Sequence, residues 1–347
     1  MKILLVGCFD LYLHPYSEKY IAAYKNHDIK FIYWNRNNST IPKSKIYNPF
    51  NYSMNTYQSL FGKIRGYISF YKFVKIELKN NKYDRIIFLT SQAMFLFGRY
   101  ARKYYKNRYL YDFRDETYEK YEMYRRTILK CILSSYKTVV SSNGFLELFP
   151  EIPQEKFILC HNAKNDFSYQ PIRKESKEVV NISFWGMIRQ PEYFKNIIFT
   201  FANNKKYKIN FYGQGYIDQL RKIIKDNNIN NVYLYGKYEQ NDMIKFVKDT
   251  DILINCYSNN SIQKKALTVK MYEGIMYNIP MIIQKDSYMD FYLNSLNYPH
   301  YSIDFDNYSS KNEICLNELV INNGRGTVNK ILEQQKLFTD ELFLFVK

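Results

Sequence analysis

Residues 266–282 read ALTVKMYEGIMYNIPMI. Leu267, Met271, Ile275 and Met276 recur at helical spacing, which predicts a short helix that stops at Asn278. The residues that follow, IPMII, read as a buried strand that Pro280 keeps from being helical. A short helix followed at once by an apolar strand is half of a parallel α/β unit. Near its start this helix carries Lys270 and, one turn on, Glu273. Charges in so short a core helix ask for a functional reason.

The pattern extends in both directions. Strand-like runs occur at 2–7, 29–34, 85–90, 108–113, 138–142 and 156–160, and again at 180–186, 208–213, 231–236, 251–257 and 279–284. Helix-compatible segments separate most of them, so the class is α/β with parallel sheets covered by helices on both faces. The polar stretch AKNDFSYQPIRKESKE at 163–178 breaks the series in two. Two Rossmann-like domains facing a central cleft are expected: 1–165, a linker at 166–178, and 179–326. A last helix over 327–347, apolar on one side, is expected to pack back on the first domain.

The chain has 347 residues, of which 46% are hydrophobic, enough for two cores and too apolar for disorder. No apolar run approaches the roughly 20 residues that span a bilayer. The five cysteines are odd in number, scattered, and form no Cys-x-x-Cys pair, which supports neither a disulfide framework nor a zinc site. A cytoplasmic protein with reduced thiols is expected. The net charge of +17 is uneven: residues 1–170 hold 27 Lys and Arg against 14 Asp and Glu. That half should attract an anionic surface. Within it, residues 59–79 taken as a helix place Arg65, Lys72, Lys75 and Lys79 within an arc of about 80°. A solvated face explains such a stripe; so does contact with anionic lipid headgroups.

By the rule for open parallel sheets, the loops after the second series of strands share one crevice. They collect Arg189, Lys195, Gly213, Gly215, Lys264, Lys265 and Lys270 with Glu273, and helix N-termini add partial positive charge. An anion belongs there, a diphosphate above all, while Glu273 can accept hydrogen bonds from a vicinal diol.

Taken in order, SFWGMIR, INFYGQGY, NVYLYGKYEQNDMIKFVKDTDILINCY and ALTVKMYEGIMYNIPMI resemble the nucleotide-sugar-binding half of retaining glycosyltransferases of family 4, which have the GT-B fold. The likeness covers about residues 180–285 and continues more weakly through YLYDFRDETYEKY and TVVSSNGF, in the manner of bacterial surface-polysaccharide transferases. It implies that Arg189 and Lys195 hold the donor phosphates and Glu273 the donor ribose. Gly236 and Lys237 would flank the base, with Gly186, Gly213, Tyr257, Leu267, Thr268 and Lys270 completing the donor site. Where the family carries a further Glu, eight positions before Glu273, this chain has Lys265, so the sugar-facing end is altered. His14 and Asp115, with Lys265, are the candidate contacts to the acceptor or the transferred sugar. Asp112 is a second acceptor candidate, unless an ion pair with Arg114 holds it.

The partners so implied are a nucleotide-sugar donor (a UDP-sugar favoured), a lipid-linked saccharide acceptor and the anionic inner face of the cell membrane. No cofactor and no metal are expected, although Asp304-Phe305-Asp306 spells the Asp-x-Asp metal motif of the other major glycosyltransferase fold. Two alternatives stay open. One is a family-like but inactive scaffold of a polysaccharide assembly complex, suggested by Lys265. The other is a basic nucleic-acid-binding protein, against which stands the lack of any such motif.

Overall fold

The computed structural model describes residues 1–54, 58–172, 178–260, 262–307, 316, 319 and 323–347. They form two compact units, one of Met1–His161 with Glu333–Lys347 and one of Asn162–Leu332.

The first unit is built on seven parallel strands: β1 (Lys2–Gly7), β2 (Asp28–Asn35), β3 (Tyr47–Asn51), β4 (Arg85–Leu89), β5 (Tyr109–Phe113), β6 (Lys137–Val140) and β7 (Phe157–Leu159). Their order in the sheet is β3-β2-β1-β4-β5-β6-β7. Helices α1 (Ser17–Ala23), α2 (Leu60–Asn80), α3 (Ser91–Tyr104) and α4 (Glu122–Ser134) make the crossovers. β1 and β4 are buried almost throughout because both faces of the sheet are covered, which is why they read as unbroken apolar runs. β3 escapes such a reading: Pro49 removes a ladder donor, a loss that only an edge strand tolerates, and β3 lies at the edge.

The second unit has six parallel strands: β8 (Val180–Ile188), β9 (Tyr207–Gly215), β10 (Val232–Gly236), β11 (Ile252–Ile254), β12 (Met281–Gln284) and β13 (His300–Ile303). Their order is β10-β9-β8-β11-β12-β13. Its helices are α5 (Pro191–Phe201), α6 (Ile217–Asp226), α7 (Met243–Asp249), α8 (Val269–Tyr277) and α9 (Tyr288–Ser295). β13, a half-exposed edge strand of four residues, carries too short a pattern to announce itself. Of the stretch 166–178, Phe167 is buried in the core of this unit, and 173–177 lie outside the described residues.

The last helix, α10 (Gly324–Phe345), begins in the second unit and belongs to the first from Glu333 onward. There Phe338, Leu342 and Phe345 join the cluster of Ile3, Leu5, Tyr20 and Tyr24, and the Tyr24 hydroxyl donates to the Leu342 carbonyl at 2.9 Å. No helix among the described residues is long and apolar enough to cross a membrane. Cys8, Cys131, Cys160 and Cys256 are buried free thiols; Cys315 lies outside the described residues.

Candidate functional site

The strand order of the second unit reverses direction between β8 and β11, and the carboxyl ends of those two strands mark the switch point where open α/β sheets bind ligands. Helix α8, which carries Lys270 and Glu273, starts there. Thr268 caps it, accepting from the Met271 amide at 3.3 Å and donating to the Asn255 side chain at 2.9 Å. Asn278 closes it in the left-handed conformation at φ 57.

Lys270, in the first turn, reaches the sheet edge. A β-carbon placed on Gly186 would stand 3.0 Å from its ammonium nitrogen, so the missing side chain of Gly186 makes the room. The ammonium lies 4.9 Å from the Phe184 ring centre and 5.2 Å from that of Tyr257. No carboxylate of the described residues pairs with it. A cation at the switch point, beside a helix N-terminus and without an acidic partner, is a place for an anion.

One turn on, Glu273 is 6% exposed. Its two oxygens are held separately: Trp185 Nε1 donates to Oε2 at 2.8 Å, and the Lys164 ammonium pairs with Oε1 at 2.9 Å. Burial first, then the negative charge of Glu273, pushes the Tyr238 phenol up to about 12, so that ring stands in the carboxylate's field. A ladder of rings stands nearby: Tyr212 of β9 stacks on Tyr235 of β10 at 4.5 Å and on Phe246 of α7 at 4.2 Å. Close backbone packing explains two glycines here. A β-carbon on Gly213 (φ 149) would lie 1.8 Å from the Gly186 carbonyl oxygen, and one on Gly215 (φ 111) would lie 2.2 Å from that of Ile188.

No protein-family model and no curated protein sequence matches the chain. Solved structures do. The lipopolysaccharide outer core galactosyltransferase WaaB superposes with a TM-score of 0.58 at 15% identity, over 82% of this chain and 80% of its own. Sucrose-phosphate synthase from Thermosynechococcus elongatus gives 0.69 at 11% identity over 99% of both chains. A trehalose-6-phosphate protein of E. coli bound with UDP-2-fluoro glucose gives 0.68 at 9% identity, again over 99% of both. The chain has the fold of the GT-B glycosyltransferases.

Within this GT-B fold the other expected donor residues are placed as follows. Arg189 follows β8 and is exposed, with no ion pair among the described residues. The Lys195 ammonium pairs with Glu192 on its own helix at 3.5 Å, so its contacts do not join it to Lys270 or Glu273. Lys237 is exposed, paired with Glu239, beside Gly236 in the left-handed region at φ 79. Leu267 is buried in the apolar core, leaving only its backbone to serve a ligand. Lys265 is half-buried in the turn before α8. Asp304 accepts from Gln284 and Asn307 side chains, and Asp306 from the Asn259 amide, so both carboxylates brace local loops.

In the first unit, His14 is fully buried rather than open to a ligand; burial, with Arg36 adding to it, pushes its pKa down to about 3 and keeps the ring neutral. Asp112 does not face solvent either: it is buried, ion-paired with Arg114 and bonded by the Tyr20 hydroxyl. Asp115 is exposed. The basic stripe lies on α2 as expected from its spacing, and Lys72, Lys75 and Lys79 with Tyr71, Tyr100 and Tyr104 line a surface cavity of about 520 Å³. The Lys75 ammonium stands 3.7 Å over the Tyr100 ring. Leu60, Phe61, Ile64 and Ile68 of the same helix are exposed, Phe61 to 85%.

Lys164, Trp185 and Tyr238 carry no site signal of their own in the sequence. Lys164 is 109 positions from Glu273, and no local pattern joins them; Trp185 was legible only as a strand residue.

Proposed function

We propose that this chain is a retaining glycosyltransferase. It transfers a sugar from a nucleotide-diphosphate donor, a UDP-sugar favoured, to a hydroxyl of a lipid-linked saccharide in bacterial surface-polysaccharide synthesis. The observation that carries the reading is the Lys270 ammonium, unpaired with any acid of the described residues, at the switch point of the second unit and one turn from the buried Glu273 carboxylate. The diphosphate binds at Lys270 and the start of α8, with Arg189 on the adjoining loop. The donor ribose donates to Glu273, taking over contacts now made by Lys164.

As the bond from the anomeric carbon to the phosphate oxygen breaks, negative charge gathers on the diphosphate, where Lys270 and the helix start stabilise it. The acceptor oxygen bonds to the anomeric carbon on the same face. Its proton passes to the departing phosphate oxygen, so the step balances without a protein nucleophile. Lys270 and Arg189 supply the positive charge, and we propose that the reaction needs no metal; transfer should persist in EDTA.

A lipid-linked acceptor is met at a membrane. The α2 lysines and the exposed Leu60, Phe61, Ile64 and Ile68 support reversible attachment of the first unit to the anionic inner face. Lys265 favours a second reading, an inactive scaffold, which measurable donor consumption by purified protein excludes. The direct test is sugar transfer by Lys270→Ala and Glu273→Gln; turnover unchanged in both refutes the assignment of the site.

A further inference from the structure

Arg36 is the first residue beyond the carboxyl end of β2, next to β1 at the reversal of strand order in the first unit. Its guanidinium carbon lies 4.5 Å from the centre of the Phe9 ring, 4.3 Å from Trp34 and 5.4 Å from Tyr67, and Nη2 donates to the Tyr67 hydroxyl at 3.3 Å. No carboxylate of the described residues pairs with it. The nearby Asp10 is engaged by the backbone and side-chain amides of Asn37. Arg36 Nε is enclosed and finds no acceptor.

The same absence recurs on the adjoining strand ends. His14 Nε2, in the loop after β1, is buried without a partner in a residue that is 0% exposed. Thr90, after β4, has a buried unpartnered hydroxyl and a φ of 78. Orphaned buried polar atoms are uncommon and need a reason. Here Arg36 Nε, His14 Nε2 and Thr90 Oγ1 follow the three adjacent strands β2, β1 and β4, and the guanidinium among them has no counter-ion among the described residues. Such a guanidinium binds phosphate with two N–H groups at once.

The neighbourhood also says what accompanies the phosphate. Tyr67 belongs to α2, and one turn before it Ile64 is 48% exposed, while Ile68 beside it is 50% exposed. With Leu60 and Phe61 they continue an apolar stripe away from Arg36 along one side of the helix. A cation without an anion, beside apolar side chains without a cover, complements a molecule with a phosphate head and a hydrocarbon tail.

We infer that Arg36 and the start of α2 form the binding site for a lipid with a phosphate head and a hydrocarbon tail, the anchor of the acceptor. The inference rests on the lipid-linked acceptor proposed above and names the residues that hold it.

The test is calorimetric binding to the full chain without donor, using farnesyl phosphate below its critical micelle concentration, farnesol and inorganic phosphate as probes. Wild type should bind farnesyl phosphate at least tenfold more tightly than either fragment. Arg36→Gln should weaken it by roughly tenfold or more, the loss of a charged hydrogen-bonding partner. Arg36→Lys should recover part of this, because it restores the charge but not the planar fork. The double variant Ile64→Ser, Ile68→Ser should remove most of the tail's advantage and leave inorganic phosphate binding unchanged. Glu273→Gln, and Lys72, Lys75 and Lys79 changed together to Gln, should bind the probe as wild type does. Farnesyl phosphate bound equally by wild type and a folded Arg36→Gln overturns the site. So does binding lost in the triple Gln variant and kept in Arg36→Gln. Failure of sugar transfer alone bears on the donor site, not on this one.

Discussion

Replacing Glu273 separates what its carboxylate does for the fold from what it does for a ligand. In Glu273→Ala the Trp185 indole N–H, in a residue 1% exposed, loses its acceptor, at a cost of about 1–3 kcal/mol. Lys164 also loses its partner, but its side chain is 31% exposed and water reaches it, so that share is about 1 kcal/mol at most. The sum is about 1–4 kcal/mol, which for a unit of this size lowers the midpoint of thermal unfolding by roughly 2–16 °C. Glu273→Gln keeps a carbonyl oxygen for Trp185 and loses only the ion pair, so its midpoint should fall by about 4 °C or less. Tryptophan fluorescence suits the measurement, since Trp185 is one of only two in the chain. Nucleotide-diphosphate binding should behave differently. If the carboxylate accepts the ribose hydroxyls, Gln weakens binding by roughly 10–100-fold despite its stable fold, the worth of a charged hydrogen bond. Equal stability of Ala and wild type would refute the packing argument; Gln with wild-type nucleotide affinity would refute the ligand argument.

Gly213→Ala should cost several times more stability than Gly236→Ala in denaturant titration. The first drives a β-carbon into the Gly186 carbonyl, whereas the second meets nothing within 4 Å and bears only the strain of φ 79. Acid should loosen the first unit. Burial holds His161 down to about 4 and His14 to about 3, so the unfolded chain takes up protons that the folded one refuses. Stability is then full above about pH 6.5 and falls between there and pH 4 by up to about 1.4 kcal/mol per pH unit for each ring. His161→Gln should remove about half of this slope in denaturation curves at pH 7, 6 and 5, and a slope unchanged would show that the ring does not titrate as argued. Changing Arg65, Lys72, Lys75 and Lys79 together to Gln should reduce cosedimentation with anionic liposomes at low salt and leave nucleotide affinity intact. Wild-type retention in that variant would mean that the stripe is only a solvated face.

Much of the architecture was legible in the sequence because its signals are local. β1, β4 and β8 read as buried strands from their own apolar runs, and α8 from the spacing of Leu267, Met271 and Ile275 with Asn278 at its end. Period and punctuation follow from backbone geometry within a turn or two, so one chain segment suffices to show them. Lys270 and Glu273 were found for the same reason: charges stand out on an otherwise apolar helix. What those charges touch was decided by tertiary structure alone. Lys164 and Trp185 meet at Glu273 from segments far apart in the chain, and Arg36 stands without an acid of the described residues while Asp10 is held by Asn37. The burial of His14, after β1, and of Asp112, on β5, belongs here too, since both looked available and both are enclosed. Pairing and desolvation depend on which segments the folded sheets bring together in space, and the sequence pattern records only which residues are neighbours along the chain.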